Sequence, residues 1–367
     1  MRAYLDHAST SPVRPEAVRA VVEWLSRRDV GDPGRIHSEG MVARAAIEEA
    51  REQVAACLGA RPREVVFTSG ATESIATACF GASEGRGRHS VLSAVEHSAV
   101  REWAGRGPTT YVEVDRHGRL DAGALPGEVA SDTGVVHCQW GNHEVGTLQP
   151  VREVVAAVDG RALVHVDAAA AVGRMEVSFA TCGADLLSVS SHKLGGPAGI
   201  GALLVRRGVR LPALVVGGDQ ERARRGGMEN VAGIVGFAAA LAAIDTAAEA
   251  ARSVSLTQRV LDWAAGTDGI TVYGDPDERL PHIVCLGIEG IEPQPVLLGL
   301  DRAGVAVHSG SSCSTEALEP SPVLEAMGVD APRSLRVSVG WSTTDEDIDL
   351  LLEALPRVLT QLRSLRT

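Results

Sequence analysis

The chain has 367 residues, of which 45% are hydrophobic and 22% charged, and its formal net charge is −12. The negative charge argues against a dedicated nucleic-acid surface, so no direct nucleic-acid partner is expected, although Arg222, Arg224 and Arg225 could form a small basic patch. No apolar run approaches the roughly 20 residues of a membrane span, and Met1 leads into strand-like sequence rather than a hydrophobic signal region, which predicts a cytoplasmic protein without a membrane partner.

Helix-like and strand-like segments alternate along the chain, which is typical of an α/β protein with a mostly parallel sheet flanked by helices. The length suggests two domains, or one large domain with a smaller one appended. In chain order, the predicted elements are a helix over 42–58, strands over 65–67, 90–95, 135–140, 163–166, 186–189 and 201–205, a long alanine-rich helix over 231–251, and strands over 270–272, 282–286 and 335–339.

Five of the predicted strands lead into polar residues that are suited to chemistry. These residues are Thr72, just past its turn, and His97, His143, Asp167 and Lys193. In open α/β sheets, ligands bind outside the carboxyl ends of the strands. We therefore expect these five side chains to meet in one crevice.

Asp167 and Lys193 make the most informative pair, because each follows a short strand-like run that is mainly Leu and Val, and they stand 26 residues apart. A lysine at the mouth of a buried strand is costly unless it is used. Its amine can form a Schiff base with pyridoxal 5'-phosphate (PLP), and the acid can pair with the ring nitrogen. The turn 69–72 enters a helix, where backbone N–H groups favour phosphate. The sequence thus predicts a PLP site.

The six cysteines, at positions 57, 79, 138, 182, 285 and 313, include no CxxC pair and no metal-ligand spacing, so no metal site is expected. Cys57, Cys79, Cys138 and Cys285 lie among apolar residues, where a free cysteine usually acts as a small hydrophobe. Cys313 differs, because the serine- and glycine-rich run 309–315 has nothing to pack and predicts a loop.

Several collinear segments resemble those of cysteine desulfurases of the NifS/IscS type, in the class V aminotransferase family: residues 4–10, 67–74, 96–97, 165–168, 190–193, 225–236, 309–324 and 336–340. The resemblance implies PLP-dependent fold type I, with a large PLP-binding domain over 12–250. It implies a small α/β domain from 1–11 and 251–367 that carries the catalytic cysteine. It also implies a homodimer that converts L-cysteine to L-alanine and leaves sulfur on the enzyme as a persulfide for an acceptor protein.

The resemblance also implies a role for each matching residue. Lys193 would bind PLP covalently, Asp167 would pair with the ring nitrogen, and His97 would stack on the ring and move protons. Cys313 would attack the substrate sulfur, which requires a thiolate. Arg336 would bind the substrate carboxylate, and Arg225 would help form the dimer-facing side of the site. The phosphate would be contacted by Ala71, Thr72, Ser190 and His192.

At three positions the chain departs from the family pattern. Ala170 replaces a glutamine that contacts the cofactor's phenolic oxygen, His143 replaces an asparagine, and Met228 replaces a threonine that reaches the neighbouring subunit's PLP phosphate. A lost hydrogen bond to a charged group costs roughly 1.5–3 kcal/mol, so weaker PLP retention and slower turnover are expected. We hypothesise that His143 fills the space left at Ala170, contacts cofactor and substrate, and adds a histidine ionisation to the pH profile.

Two other functions fit the same residues. A catalytically weakened family member could serve as a sulfur-relay partner or scaffold, although the retained Lys193, Asp167, His97, Cys313 and Arg336 favour an active enzyme. A selenocysteine lyase or another PLP-dependent C–S lyase would not need Cys313, so Cys313→Ala separates that alternative. The acceptor could belong to tRNA thiolation, iron–sulfur assembly, natural-product synthesis or DNA sulfur modification.

Overall fold

The computed structural model describes residues 2–309, 320–330 and 332–364. Its strands are β1 (Ala3–Tyr4), β2 (Val65–Thr68), β3 (His89–Ser93), β4 (Thr109–Val112), β5 (Thr133–Gln139), β6 (Leu163–Asp167), β7 (Leu186–Ser190), β8 (Gly201–Val205), β9 (Ile270–Tyr273), β10 (Ile283–Ile288), β11 (Val305–Ala306) and β12 (Ser334–Ser338). Its helices are α1 (Pro15–Ser26), α2 (Ser38–Cys57), α3 (Ala71–Gly85), α4 (Ser98–Ala104), α5 (Leu125–Glu128), α6 (Val151–Val158), α7 (Phe179–Cys182), α8 (Gln220–Ala223), α9 (Val231–Ala242), α10 (Thr246–Ala265), α11 (Pro293–Arg302), α12 (Pro322–Ala326) and α13 (Asp345–Ser364).

A seven-stranded sheet with the order β2-β8-β7-β6-β5-β3-β4 forms the centre of the larger part of the molecule. All its neighbouring strands are parallel except β8, which runs antiparallel to both β2 and β7. Every residue of β5, β6 and β7 is buried, because helices cover both faces of the sheet. The predicted α/β class with a mostly parallel sheet is confirmed.

A second, three-stranded antiparallel sheet has the order β12-β10-β9 and packs against α10, α11 and α13 over a separate apolar cluster. The N-terminal strand β1 pairs with β11 and so brings the beginning of the chain to this part of the molecule. The domain boundaries given above stay a prediction. For the site, the important consequence is that β12 carries Arg336 towards the larger sheet.

The prediction of one long helix over 231–251 is wrong. The chain forms α9 and α10 instead, and the two helices are bent by 73° relative to each other. Asp245 causes the break, because its side chain accepts a hydrogen bond from the Ala248 N–H and so caps the start of α10. Strand β4 was not predicted, since its four residues lie at the sheet edge and only Val112 is buried.

Within the described residues, no single helix has the length and apolar composition to cross a membrane. The bent pair α9 and α10 meets those two criteria only when both helices are counted together.

Candidate active site

A cavity of about 460 Å³ opens at the carboxyl ends of the parallel strands. It is lined by all five strand-end residues singled out from the sequence, namely Thr72, His97, His143, Asp167 and Lys193. Four further predicted residues, Ala71, Ser190, His192 and Arg336, line the same cavity. Residues that are scattered over more than 260 positions of the chain are therefore brought together around one space.

One end of the cavity is the beginning of α3. Gly70 precedes the helix with φ of 154°, and a Cβ there would meet no atom within 4 Å, so the backbone is open to a ligand. The first N–H groups of a helix have no partner within it, and together with the helix dipole they favour an anion. Ser190 lies near this turn, because Gly201 pairs with both Thr68 and Ser190, and His192 lines the same cavity. Their placement suits the phosphate of a cofactor.

Asp167 is the last residue of β6 and is 9% exposed. Its Oδ1 accepts a hydrogen bond of 2.9 Å from the Ala169 N–H, which fixes the carboxylate in the turn after the strand. Gln139 lies opposite Asp167 in the β5–β6 register, and the Trp140 N–H donates to the Asp167 carbonyl. The strand end is thus held on both sides, and the carboxylate faces the cavity.

The turn that carries Lys193 is bound by the N-terminal segment. The Ser11 hydroxyl donates to the Lys193 carbonyl at 3.0 Å, and the Ser11 N–H donates to the His192 carbonyl at 2.9 Å. Arg14 bonds the next two carbonyls, of Leu194 and Gly195. These bonds hold four consecutive carbonyls, so the backbone beneath the lysine is fixed before any ligand arrives.

His97 and His143 form an edge-to-face pair inside the cavity, with ring centroids 4.9 Å apart and an interplanar angle of 68°. The Ala99 N–H donates to His97 Nδ1 at 3.1 Å, which places the proton of the neutral His97 ring on Nε2. Burial lowers the pKa of His97 to about 3, with the neighbouring His143 and Lys193 contributing. Burial, Lys193 and Arg336 hold the pKa of His143 well below its usual range.

Two buried carboxyl groups stand next to these histidines in the sequence. Burial raises the pKa of Glu96 to about 8 and that of Glu144 to about 7. Glu96 accepts from the Gln139 N–H at 2.7 Å, while Glu144 accepts from the Ser321 hydroxyl. With a pKa of about 8, the Glu96 carboxyl is mostly neutral near pH 7, whereas Glu144, with a pKa of about 7, divides about evenly between its neutral and ionised forms.

Arg336 enters from β12 and is 1% exposed. Its Nη2 donates to Asp6 Oδ1 at 2.9 Å and to Ser9 Oγ at 2.7 Å, and its Nη1 donates to the His143 carbonyl at 2.8 Å. Its Nε is buried without a hydrogen-bond partner among the described residues. A buried donor without a partner is costly, so Nε is a suitable position for an oxygen of a bound ligand.

Arg225 does not line the cavity, but it pairs with Glu73, which does, at 3.0 Å. The two neighbouring arginines are also engaged, Arg222 by Glu48 and Arg224 by backbone carbonyls, so the three do not form a free basic patch.

The three departures from the family pattern have different surroundings. Met228 is 65% exposed. Ala170 packs at the edge of the main core, and it is Ala169 that lines the cavity. His143 has Gln139 near its Nδ1, with Gln139 Oε1 at 3.5 Å, in addition to the His97 ring. The suggested filling of space at Ala170 by His143 stays a hypothesis.

Five of the six cysteines lie in the described residues, and burial raises the pKa of every one, to about 12 for Cys79 and Cys285. None of the five lines the cavity. Cys313 lies outside the described residues. On either side of it, however, the His308 carbonyl accepts from the Arg336 N–H and Ser321 contacts Glu144, so both flanking positions adjoin the site.

Sequence reasoning missed Asp6, Ser9 and Gln139 as neighbours of the site, because their contacts come from distant segments. It also passed over one signal. Of the 35 lysine and arginine residues, Lys193 is the only lysine in the chain.

No group of three or more His, Cys, Asp or Glu side chains that could hold a metal ion occurs within 2–309, 320–330 and 332–364.

A mostly parallel sheet with an acid and a lysine at the ends of adjacent strands, facing a helix N-terminus, defines the class of fold type I enzymes. The family model described as aminotransferase class-V matches residues 3–351. The chain belongs to the class-V aminotransferase family.

Three similar proteins narrow the comparison. Cysteine desulfurase IscS 1 of Archaeoglobus fulgidus is 39% identical over 380 residues, which cover 99% of this chain and 98% of the relative. A solved structure of a NifS-like protein has a TM-score of 0.92 at 32% identity and covers 99% of this chain and 100% of its own. A structure of SspA in complex with cysteine has a TM-score of 0.82 at 27% identity, over 93% of this chain and 100% of its own. The predicted NifS/IscS-type resemblance and fold type I architecture are confirmed.

Proposed function

We propose that this chain is a PLP-dependent cysteine desulfurase that converts L-cysteine to L-alanine and forms a persulfide on Cys313. The observation that carries the proposal is the convergence of Lys193, Asp167 and Arg336 on one cavity that ends at a helix N-terminus. Amine, acid and guanidinium are the three groups that a PLP enzyme acting on an amino acid requires. The cysteine desulfurases that are similar over nearly the whole chain support the same reaction.

The residues present fit PLP at each of its polar ends. Lys193 would hold it covalently, and Asp167 would pair with the ring nitrogen. Ala71 and Thr72, at the start of α3, would receive the phosphate together with Ser190 and His192. When bound, PLP withdraws electrons from the α-carbon of the amino acid, which weakens the bonds that must break.

His97 would stack on the ring and move protons. Its neutral form carries the proton on Nε2, since Nδ1 accepts from Ala99. With a pKa of about 3, the ring stays neutral at physiological pH and presents its Nε2–H as a hydrogen-bond donor. His143, held edge-on to His97, would contact both cofactor and substrate.

Arg336 would bind the substrate carboxylate through its buried Nε edge. The His143 carbonyl accepts from Arg336 Nη1, so one residue connects the carboxylate site to the histidine pair. This geometry would direct the α-carbon and the sulfur of L-cysteine towards Lys193 and His97.

Cys313 would attack the substrate sulfur. The Cys313 thiolate would form a bond to the substrate sulfur, and the carbon–sulfur bond would break with its electron pair left on carbon. Protonation of that carbon would complete L-alanine. The raised pKa values of the five described cysteines support this choice, because a neutral thiol is a poor nucleophile. Cys313 follows His308 by five residues, and the His308 carbonyl accepts a hydrogen bond from the Arg336 N–H.

The persulfide would then transfer sulfur to an acceptor protein in the cytoplasm.

We also propose a homodimer in which Arg225 lies on the side of the site that faces the partner. Large exposed apolar residues near this arginine support an interface, since Met228 is 65% exposed and Val216 is 79% exposed. The proposed domains are 12–250 for PLP and 1–11 with 251–367 for the smaller domain.

The test incubates purified protein with PLP and L-cysteine, then quantifies alanine and analyses the Cys313 peptide by mass spectrometry. We expect alanine and a mass increase of one sulfur on that peptide. Cys313→Ala should lose persulfide and desulfuration, whereas Cys57→Ala is the matched control and should retain both. Absence of alanine from PLP-loaded protein would contradict the proposal and favour a scaffold role. Retention of selenocysteine cleavage alone would instead indicate a lyase.

A further inference from the structure

Asp6 is the only carboxylate that forms an ion pair with Arg336 within the described part of the chain. The distance from Asp6 Oδ1 to Arg336 Nη2 is 2.9 Å, and the side chains are 17% and 1% exposed. Ser9 completes a triangle with them. Its hydroxyl donates to Asp6 Oδ1 at 2.9 Å and accepts from Arg336 Nη2 at 2.7 Å. Both hydrogens of Nη2 are therefore engaged before a substrate arrives.

The backbone fixes Asp6 in this position. Asp6 forms a parallel bridge with Ser338, two residues after Arg336 on the same strand. The Tyr4 hydroxyl lies 3.2 Å from the Asp6 carbonyl and 2.9 Å from the Thr10 carbonyl, which holds the turn closed. Moving the carboxylate away from Arg336 would require this turn to rearrange.

The guanidinium thus meets a substrate with its charge already balanced. Of its three nitrogens, only Nε lacks a hydrogen-bond partner among the residues that the structure describes, while Nη1 is engaged by the His143 carbonyl. A substrate carboxylate bound at Nε would stand near Asp6, and two like charges at short range in a buried site repel each other. Ser9 lines the cavity, so the triangle borders the ligand directly.

We infer that Asp6, held by Ser9, is a positioning residue that weakens carboxylate binding at Arg336. This inference rests on the proposed function, because it takes Arg336 as the residue that binds the substrate carboxylate. L-Cysteine and L-alanine carry the same carboxylate, so an unpaired arginine would retain product as firmly as substrate. Affinity shared equally by substrate and transition state does not raise kcat, whereas weaker binding lets product leave.

The test compares wild-type holoprotein with Asp6→Asn and Ser9→Ala. L-Alanine is titrated while the absorbance of bound PLP is followed, and melting temperature with and without L-alanine gives a second readout. Asn keeps the shape of Asp6 but removes its charge, so the Kd for L-alanine should fall about fivefold or more. The KM for L-cysteine should fall with it, without an increase in kcat. Ser9→Ala frees one Nη2 hydrogen and should lower the Kd by a smaller factor, about twofold to threefold.

A Kd that is unchanged or higher in a folded, PLP-containing Asp6→Asn protein would overturn the inference. If that variant does not fold, Ser9→Ala decides, since unchanged or weaker L-alanine binding there would also overturn it. Asp349→Asn is the matched control, because it removes one carboxylate from an exposed pair with Arg259. Its Kd should equal that of the wild type.

Arg336→Gln separates this inference from the proposed function. If it binds L-alanine as tightly as the wild type, Arg336 is not the carboxylate site and the proposed site itself fails. If Arg336→Gln loses binding while Asp6→Asn does not tighten it, only the inference about Asp6 fails.

Discussion

The molecule contains two buried histidine pairs of nearly the same geometry and different surroundings. His97 and His143 meet at 4.9 Å and 68°, and His137 and His165 meet at 5.0 Å and 70°. The first pair opens on the cavity. The second is enclosed between β5 and β6, where all ring nitrogens are bonded within the core.

The enclosed pair forms a continuous chain of contacts. Ser188 Oγ lies 2.7 Å from His165 Nε2, and His165 Nδ1 lies 2.9 Å from His137 Nδ1. His137 Nε2 then lies 3.4 Å from the sulfur of Cys79. Each member has a polar partner, so this pair meets the requirement for buried polar groups without a ligand.

The cavity pair differs in its charged neighbours and in its access. Lys193 and Arg336 both depress the pKa of His143, whereas the pKa of His165 is lowered by burial and by His137 alone. Two imidazoles in contact are therefore no sign of a site by themselves. We therefore expect the open, charged pair to take part in the chemistry and the closed pair to contribute to stability.

Replacing His97 should have the largest effect on the rate of alanine formation. His97→Gln should reduce kcat for alanine formation by about 10²–10⁴-fold, the usual contribution of a positioned residue that takes part in proton transfer. Steady-state kinetics on PLP-loaded protein measures this. A loss below tenfold, with PLP bound normally, would contradict the role given to His97.

Replacing a histidine of the closed pair should instead lower the stability of the protein and leave kcat nearly unchanged. His137→Ala leaves His165 Nδ1 and the Cys79 thiol without their partner, which should lower the free energy of unfolding by about 2–4 kcal/mol. The change in kcat should stay within about threefold, because His137 does not border the cavity. Urea denaturation and alanine assays on the same preparation test both statements. A stable variant with a large loss of kcat would reverse the comparison.

The pH dependence of stability gives a second test of the closed pair. His137 has a pKa of about 3 when folded, lowered by burial, and the unfolded chain protonates near the ordinary histidine value of 6.5. Falling pH therefore favours unfolding from about 6.5 down to about 3, by up to 1.4 kcal/mol per pH unit for each such imidazole.

The free energy of unfolding is plotted against pH, as measured by urea denaturation at fixed protein concentration. His137→Asn should remove the contribution of one imidazole from the slope of this plot between pH 6 and pH 4. The raised pKa values of Glu96 and Glu144 act in the opposite direction, but they are common to both proteins and cancel in the difference. Equal slopes for variant and wild type would show that His137 is not held neutral in the fold.

Replacing His143 should reduce the rate less than replacing His97. His143→Ala should lower the rate by about tenfold, since it removes one polar contact while leaving Lys193, Asp167 and His97 in place. Because burial and nearby cations lower the His143 pKa, the pH–rate profile of the wild type should show its ionisation on the acid side of 6.5. An unchanged rate and unchanged PLP absorbance in the variant would refute a role for His143.

Much of the fold and the cavity could be predicted from sequence, because strand ends are local signals. A short buried run, mainly of Leu and Val, that stops at Asp167 or before Lys193 shows both the strand and the side chain that its end presents. The break at Asp245 was missed because alanine-rich sequence continues across it. Asp6 and Ser9 could not be placed at Arg336, since that contact depends on how β1 and β12 meet in the folded chain.

The central claim is that one amine, fixed at the end of β7, binds the cofactor. Since Lys193 is the only lysine, reduction of PLP-loaded protein with borohydride followed by peptide mass spectrometry tests it directly. We predict one pyridoxyl group per chain on the Lys193 peptide and none on any peptide of Lys193→Arg. A label confined to the N-terminal amine, or no label on PLP-saturated wild-type protein, would contradict the account.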